Sequence, residues 1–368
     1  IGGTMVYESD QFYDLCDELG ILVWQEFMFA NMDYPAADPE FAARVDGEAT
    51  SVVARLRRHP SIAIYCGNSE VEQQAAMLGL PRELWSNSIF RELLPRVCEQ
   101  GAADVPYWPA SPSGGHLPFH ANAGAAHYFG VGAYLRPLED ARRSEIRFAS
   151  ECLGFSHIPD QRAVDALLPN GEAPVVHPRW KMRVPRDHGA GWDFEDVRDF
   201  YLARLCNTDP MLLRYAQMDR YLGLSRVVTG EVMARTIGEW RRSGSTCRGA
   251  ITWFYQDLWL GAGWGLIDAT GRPKPAYYVV RRSMQSIAAT FTDEGANGLY
   301  VHLMNDMGDA VNGSLTLTLI RSGSTVVATA SSPVAVEARG AVAVSADALL
   351  GRFYDVAYAY RFGPPSYD

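Results

Sequence analysis

Short apolar runs alternate with amphipathic segments over most of the chain. The runs GILVWQEF, SIAIYCGNSE, VPYWPAS, AAHYFGV, EIRFASE and RGAITWFYQD predict buried strands. Helical patterns or long loops separate them, and Asp38-Pro39 is typical of a helix start. Parallel strands that are covered on both faces need apolar runs of this kind. The pattern therefore predicts an α/β barrel, with about six or seven of the eight strands that close one.

The pattern changes near the end of the chain. From about Gly298 it alternates in short runs, LYVHLMND, SLTLTLI, STVVATA and AVAVS, with Gly, Asn and Ser between them. Such alternation is typical of a β-sandwich. We therefore expect two domains, a large one at residues 1–290 and a partial β-sandwich at residues 291–368.

The composition indicates which kinds of binding partner are disfavoured. The 368 residues carry a net charge of −10 and are 48% hydrophobic, values of an ordinary globular protein. An acidic balance without basic runs disfavours nucleic acid as a partner. A run of about 18 apolar residues is absent, so we expect no membrane partner. The compartment stays open between cytoplasm and periplasm.

Acidic residues follow three of the predicted strands. Glu70, Glu151 and Asp257 each come at or just beyond a strand's carboxyl end, which is the catalytic face of such barrels. Retaining glycoside hydrolysis needs two carboxylates, because one protonates the leaving oxygen while the other attacks the anomeric carbon. With 43 acidic residues in the chain, this placement alone is a weak signal.

Longer motifs make the signal specific. The stretch YESDQFYDLCDELGILVWQEFMFANMDYP, followed by LRRHPSIAIYCGNSE, resembles the β-mannosidase branch of glycoside hydrolase family 2. RFASECLGF resembles the family's nucleophile strand, and RGAITWFYQDLW with GWGLIDATGRPKPAYY resembles its last barrel strand and the segment after it. The resemblance implies that Glu70 is the general acid/base and Glu151 the nucleophile.

The same resemblance implies an architecture and a pocket. It implies a (β/α)8 TIM barrel that lacks its first strand or two, followed by a partial immunoglobulin-like β-sandwich. The missing strands and the family's N-terminal domains are then expected before Ile1. The residues expected to contact the sugar are Asn68, Ser69, Trp24, His127, Trp253, Asp257, Trp259 and Trp264. Among them, Trp253 matches the aromatic platform under the sugar.

Several positions depart from the family's pattern. Ser69 precedes the acid/base where the family commonly has Asn, and Asn68 lies one residue earlier. Gln256 replaces an Asn, Phe129 replaces a Trp, and Cys152-Leu153 follows the nucleophile where an aromatic residue is common. Both carboxylates are retained, so sugar selectivity is less constrained than reaction type.

The predicted activity is hydrolysis of terminal β-linked mannose from a glycoside or oligosaccharide. The alternatives are another family 2 activity (exo-β-glucosaminidase, β-galactosidase or β-glucuronidase) or a sugar-binding homologue without turnover. The mechanism needs no cofactor, and clustered His or Cys patterns typical of a metal site are absent from the sequence. It does require Glu70 to begin protonated, so we expect burial or a neighbouring negative charge to raise its pKa.

Overall fold

A computed structural model describes residues 1–174 and 176–356. The chain divides into two compact units. The first comprises Ile1–His127 and Ile146–Ser150, and the second comprises Tyr128–Glu145 and Glu151–Asp368. None of the helices in the described part is both long and apolar enough to cross a membrane.

The first unit alternates helices with short strands. Its elements are α1 (Asp10–Leu19), β1 (Val23–Glu26), α2 (Pro39–Leu56), β2 (Ile62–Cys66), α3 (Val71–Met77), α4 (Leu94–Gly101), β3 (Tyr107–Trp108) and most of β4 (Ala125–Tyr128). The Asp38 carboxylate accepts hydrogen bonds from the backbone N–H groups of Glu40 and Phe41, as the Asp-Pro start of α2 predicts. Gly20 ends α1 in the left-handed conformation.

A parallel sheet in the order β1-β2-β3 forms the centre of this unit. Glu26 pairs with Cys66, and Cys66 pairs with Trp108, so the three carboxyl ends lie side by side. Apolar residues from α2, α4 and the strands pack around it as one buried cluster. The loops that carry polar residues therefore leave the same edge of the sheet.

The second unit includes the last two residues of β5 (Phe148–Cys152), whose first three residues belong to the first unit. Its other elements are α5 (Asp140–Arg143), α6 (Gln161–Leu167), α7 (Pro178–Lys181), α8 (Phe194–Cys206), α9 (Pro210–Ala216), α10 (Met218–Arg241), β6 (Ala250–Thr252), α11 (Pro275–Ser283), β7 (Ile287–Asp293), β8 (Leu299–Asn305), β9 (Val311–Arg321), β10 (Thr325–Val336), β11 (Gly340–Ser345) and α12 (Ala346–Leu350). Each of the six apolar runs predicted as strands overlaps one of β1–β6. The described residues form a mixed α/β fold, as the predicted class requires.

Antiparallel strands dominate the end of the described chain. They form a sheet in the order β11-β8-β7 and a hairpin of β9 with β10. The four predicted alternating runs fall in β8, β9, β10 and β11. The predicted boundary between residues 290 and 291 lies inside β7, whose Phe291 pairs with Val301. Residues 357–368 of the predicted β-sandwich lie outside the described residues.

Candidate active site

Glu70 lies on a tight connection between β2 and α3. Ser69 donates its backbone N–H to Phe29 O at 2.9 Å, and Glu70 donates its own to Ser111 O at 2.6 Å, so pairing continues past the named strands. Glu70 has φ 63°, a left-handed conformation that costs a non-glycine residue about 1 kcal/mol or more. Backbone strain of this kind is concentrated at functional sites.

Asn68 holds this connection in place. Its Nδ2 donates to Pro109 O at 3.0 Å, and its Oδ1 accepts from the backbone N–H of Val71 at 3.2 Å. The residue is fully buried. Both ends of the amide therefore stabilise the turn into α3. This structural role was not predicted, and the expected contact of Asn68 with the sugar stays a prediction. The expected sugar contact of Ser69, which is 3% exposed, stays a prediction.

Three side chains donate hydrogen bonds to the Glu70 carboxylate or share a proton with it. His127 Nδ1 lies 2.7 Å from Oε1, Gln73 Nε2 lies 3.0 Å from Oε1, and Gln74 Nε2 lies 3.3 Å from Oε2. Burial raises the pKa of this carboxyl, but the hydrogen bond and charge of His127 and the two amides lower it by more. The net pKa is below its ordinary value, so the expectation of a raised pKa is wrong. Sequence reasoning considered burial and a neighbouring acid but omitted the His127 ring.

A hydrogen-bonded chain continues from His127 within the first unit. The His127 side chain is 1% exposed, and its Nε2 lies 2.9 Å from Ser111 Oγ. Ser111 in turn donates to Ser150 Oγ at 2.7 Å. The sequence singled out His127 as a sugar contact but missed both serines. It also missed Gln73 and Gln74, although their i+3 and i+4 spacing from Glu70 on a short helix was a usable signal.

Glu151 is the fourth residue of β5 and is half-buried. The next residue, Cys152, accepts a hydrogen bond at its carbonyl from the backbone N–H of Trp253 at 2.7 Å. Trp253 directly follows β6, so it lies beside the carboxyl end of β5. The second unit thus brings the expected platform residue to the strand end that carries Glu151.

Aromatic rings converge on Gly154, three residues after Glu151. A Cβ placed on Gly154 would lie 3.4 Å from the Phe129 ring, 3.5 Å from Trp253 and 3.7 Å from Trp264 Nε1. The rings of Trp253 and Trp264 meet edge to face, with centroids 6.0 Å apart. Within the described residues, the buried indole N–H of Trp264 has no acceptor. The structure therefore brings Trp253 and Trp264 together, and their expected contacts with the sugar remain predictions.

Asp257 binds the backbone of the loop that carries Trp264. Its Oδ1 accepts from the backbone N–H of Gly265 at 2.7 Å, and its Oδ2 accepts from Lys274 Nζ at 2.5 Å. Burial raises the pKa of Asp257, although Lys274 lowers it in part. Both carboxylate oxygens of Asp257 thus accept hydrogen bonds from protein groups, which a buried charge requires. Sequence reasoning did not identify Lys274, whose side chain is fully buried.

The two other expected pocket residues have protein neighbours. Trp259 is 62% exposed, and the Arg183 guanidinium lies 4.7 Å above its ring. Trp24 stacks on Phe148 with ring centroids 5.5 Å apart, and its Nε1 donates to Glu26 at 3.2 Å. Their expected contacts with the sugar remain predictions.

One group in the first unit has donor atoms close enough for a metal ion. Asp14, Asp17 and His59 have donor atoms within 4.8 Å of one another. Asp17 already accepts from His59 Nδ1 at 2.7 Å and from the backbone N–H of Ser61 at 2.9 Å. These contacts join α1 to the start of β2, which accounts for the group without an ion.

Several curated proteins similar to this chain are β-mannosidases. No protein-family model matches the sequence. Beta-mannosidase B of Thermothelomyces thermophilus is 33% identical over 315 residues, which cover 79% of this chain and 36% of that protein. The chain is a β-mannosidase-like member of glycoside hydrolase family 2. Beta-mannosidase B of Aspergillus niger is 33% identical over 309 residues, covering 78% of this chain and 35% of that protein.

A solved β-mannosidase has a similar fold. The β-D-mannosidase of Dictyoglomus thermophilum superposes with a TM-score of 0.79 and 29% sequence identity, over 94% of this chain and 41% of that one. The chain thus spans about a third of the length of the curated relatives it matches. The β-mannosidase-like sequence departs from the family's pattern at Phe129 and Gln256. Phe129 contributes to the aromatic cluster at Gly154, and Gln256 Nε2 lies 3.4 Å from Asp268 O.

Proposed function

We propose that this chain carries the catalytic residues of a retaining exo-β-glycosidase that hydrolyses terminal, non-reducing β-D-mannose. The observation that carries the proposal is the placement of two half-buried carboxyls, Glu70 after β2 and Glu151 in β5, in a chain related to β-mannosidases. Aromatic surface beside Glu151, formed by Trp253 and Trp264, suits the C–H face of a pyranose.

The proposed reaction has two steps. Glu151 attacks the anomeric carbon and forms a glycosyl ester, while Glu70 transfers a proton to the oxygen of the leaving group as the glycosidic C–O bond breaks. In the second step Glu70 accepts a proton from water, and the oxygen of that water displaces Glu151 from the anomeric carbon. The net result is hydrolysis with retained configuration.

Two features of architecture belong to this proposal. The strands β1–β6 are proposed to be six of the eight strands of a (β/α)8 barrel, and β7–β11 to belong to an immunoglobulin-like β-sandwich. The parallel register of β1, β2 and β3 supports the first assignment, and the antiparallel sheet and hairpin support the second. The division of the chain is proposed near residue 290.

Leaving-group dependence tests the two roles. In the intact protein, Glu151→Ala should abolish turnover of every aryl β-mannoside, because no group then forms the ester. Glu70→Ala should spare activated aryl leaving groups, which need little protonation, and should lose poor ones. Glu72→Gln, a neighbouring carboxylate paired with Arg91, is the matched control and should leave this dependence unchanged.

Initial rates on a panel of aryl β-glycosides measure both outcomes. Equal residual rates for good and poor leaving groups in Glu70→Ala would refute its role. A wild-type protein that binds mannosides without releasing the aryl group would refute hydrolysis itself. Faster release from a glucoside, galactoside or glucuronide would refute the choice of sugar.

A further inference from the structure

Buried side chains form a continuous hydrogen-bonded chain behind Glu70. It runs from Glu70 Oε1 to His127 Nδ1 at 2.7 Å and from His127 Nε2 to Ser111 Oγ at 2.9 Å. It continues from Ser111 Oγ to Ser150 Oγ at 2.7 Å and ends at Ala126 O, 3.4 Å from Ser150 Oγ. Ser111 and Ser150 are buried, and all these residues belong to the first unit.

The number of protons in this chain can be counted. A serine hydroxyl has one proton to donate. Ser150 directs its proton to Ala126 O, and Ser111 directs its proton to Ser150. While Ser111 donates to Ser150, its oxygen can only accept from His127, and in that arrangement Nε2 carries a hydrogen. The short Nδ1–Oε1 contact then holds one further proton, on either Glu70 or the ring. In this arrangement the pair of Glu70 and His127 stores one transferable proton.

When the Glu70–His127 pair loses that proton, the hydrogen bonds of His127 and Ser111 must take a second arrangement. A neutral ring can still donate to the Glu70 carboxylate, but only from Nδ1, which leaves Nε2 without a hydrogen. Ser111 can satisfy Nε2 by turning its hydroxyl proton from Ser150 to His127. Its two alternative acceptors lie 2.7 and 2.9 Å away, so the rotation needs no movement of heavy atoms.

We propose that Ser111 and Ser150 act as a hydroxyl switch that couples the state of the His127 ring to the protonation of Glu70. This inference rests on the proposed function, in which Glu70 is the acid/base. Ser111, Ser150 and His127 are then positioning residues, because they act through Glu70. As the glycosidic C–O bond breaks, the stored proton passes to the leaving oxygen, and the attacking water returns one proton to the pair.

Other charges around His127 stay constant when a serine is replaced. The charged groups of the first unit that act on the ring include Glu70, before α3, and Glu26, at the end of β1. Glu26 is 3% exposed, and its carboxylate accepts from the backbone N–H of Gly3 at 2.7 Å. A changed titration in a serine variant therefore reports the hydroxyl chain.

The test compares Ser111→Ala and Ser150→Ala with the wild type in the intact protein. Both variants remove hydrogen bonds from the serine chain. This loss destabilises the protonated Glu70–His127 pair more than the deprotonated pair, because the charge of the protonated ring strengthens those hydrogen bonds. The alkaline limb of kcat/KM against pH should therefore move to lower pH, by about 0.7 unit in Ser111→Ala. The nitrogen chemical shifts of the His127 ring should show the same displacement without requiring turnover.

Ser113→Ala is the matched control. Ser113 is similarly buried, and its hydroxyl donates to Ala110 O at 2.6 Å, outside the chain. It should shift neither curve. Coincident His127 titrations in wild type, Ser111→Ala and Ser150→Ala would overturn the proposal, whatever their thermal stability. If Ser111→Ala does not fold, Ser150→Ala decides alone. If the wild type hydrolyses no glycoside but the His127 curves differ as stated, the proposed function fails and the switch stands.

Discussion

Replacing Lys274 by Met should loosen the loop that carries Trp264. The Lys274 ammonium is fully buried and donates to Asp257 Oδ2 at 2.5 Å, to His157 O at 3.0 Å and to Gly263 O at 3.1 Å. Asp257 in turn accepts from Gly265. The residues on both sides of Trp264 are therefore held by one buried ion pair.

The magnitude follows from the burial of both charges. Lys274→Met leaves the Asp257 carboxylate buried without its cation, which costs about 3–5 kcal/mol. Burial raises the pKa of Asp257 and lowers that of Lys274, and in each case it outweighs the attraction of the partner. The pair therefore adds little net stability, and its main effect is to position the loop. The double variant Asp257→Asn/Lys274→Met should cost about 2 kcal/mol less than the two single variants added together.

Urea titration followed by circular dichroism measures the free energy of unfolding of each variant. KM for an aryl β-mannoside, the proposed substrate, tests whether the loop that carries Trp264 contributes to binding. KM should rise in both single variants, because the loop moves. Arg44→Met is the control, since its pair with Glu40 is 69% and 81% exposed and should contribute under about 0.5 kcal/mol. A cost below about 1 kcal/mol for Lys274→Met, or additive single costs, would refute this reasoning.

Two further predictions concern the connection before Glu70. Gly67→Ala should reduce both stability and turnover, because its Cβ would lie 2.4 Å from Pro109 O. Gly191→Ala is the control, since no atom lies within 4 Å of its Cβ. It should change neither the melting temperature nor the rate. Asn68→Ala should lower the free energy of unfolding by about 1–2 kcal/mol through loss of its two backbone contacts. Ser69→Ala should lower kcat/KM on a β-mannoside, and unchanged kinetics would mean that Ser69 does not touch the sugar.

Strand positions could be predicted because they depend on local pattern. Apolar runs bounded by polar residues fixed β1–β6 to within a few residues, and the same pattern located Glu70 and Glu151 at strand ends. The start of β7 was missed because Ile287–Asp293 follows α11 after only three residues and contains no Gly or Pro to mark the change. Its pairing with β8 is a tertiary contact that periodicity alone does not reveal.

The partners of the site residues could not be predicted, because they come from distant parts of the chain. Ser111 and Ser150 are 39 residues apart, and Asp257 and Lys274 are 17 apart. Each of these residues looks ordinary in sequence, since serine and lysine are usually exposed. Their importance arises only where folding excludes water, because a buried polar group must then find its partner within the protein.

The pKa of Glu70 was predicted in the wrong direction because the contact with His127 could not be predicted from the sequence. Sequence reasoning required a carboxyl that holds its own proton, so it expected a raised pKa. The contact with His127 Nδ1 instead allows the proton to be shared, and a lowered pKa of Glu70 is compatible with an acid if the ring holds the proton beside it. The quantity that must match the working pH is therefore the titration of the Glu70–His127 pair, and Ser111 contacts that pair directly.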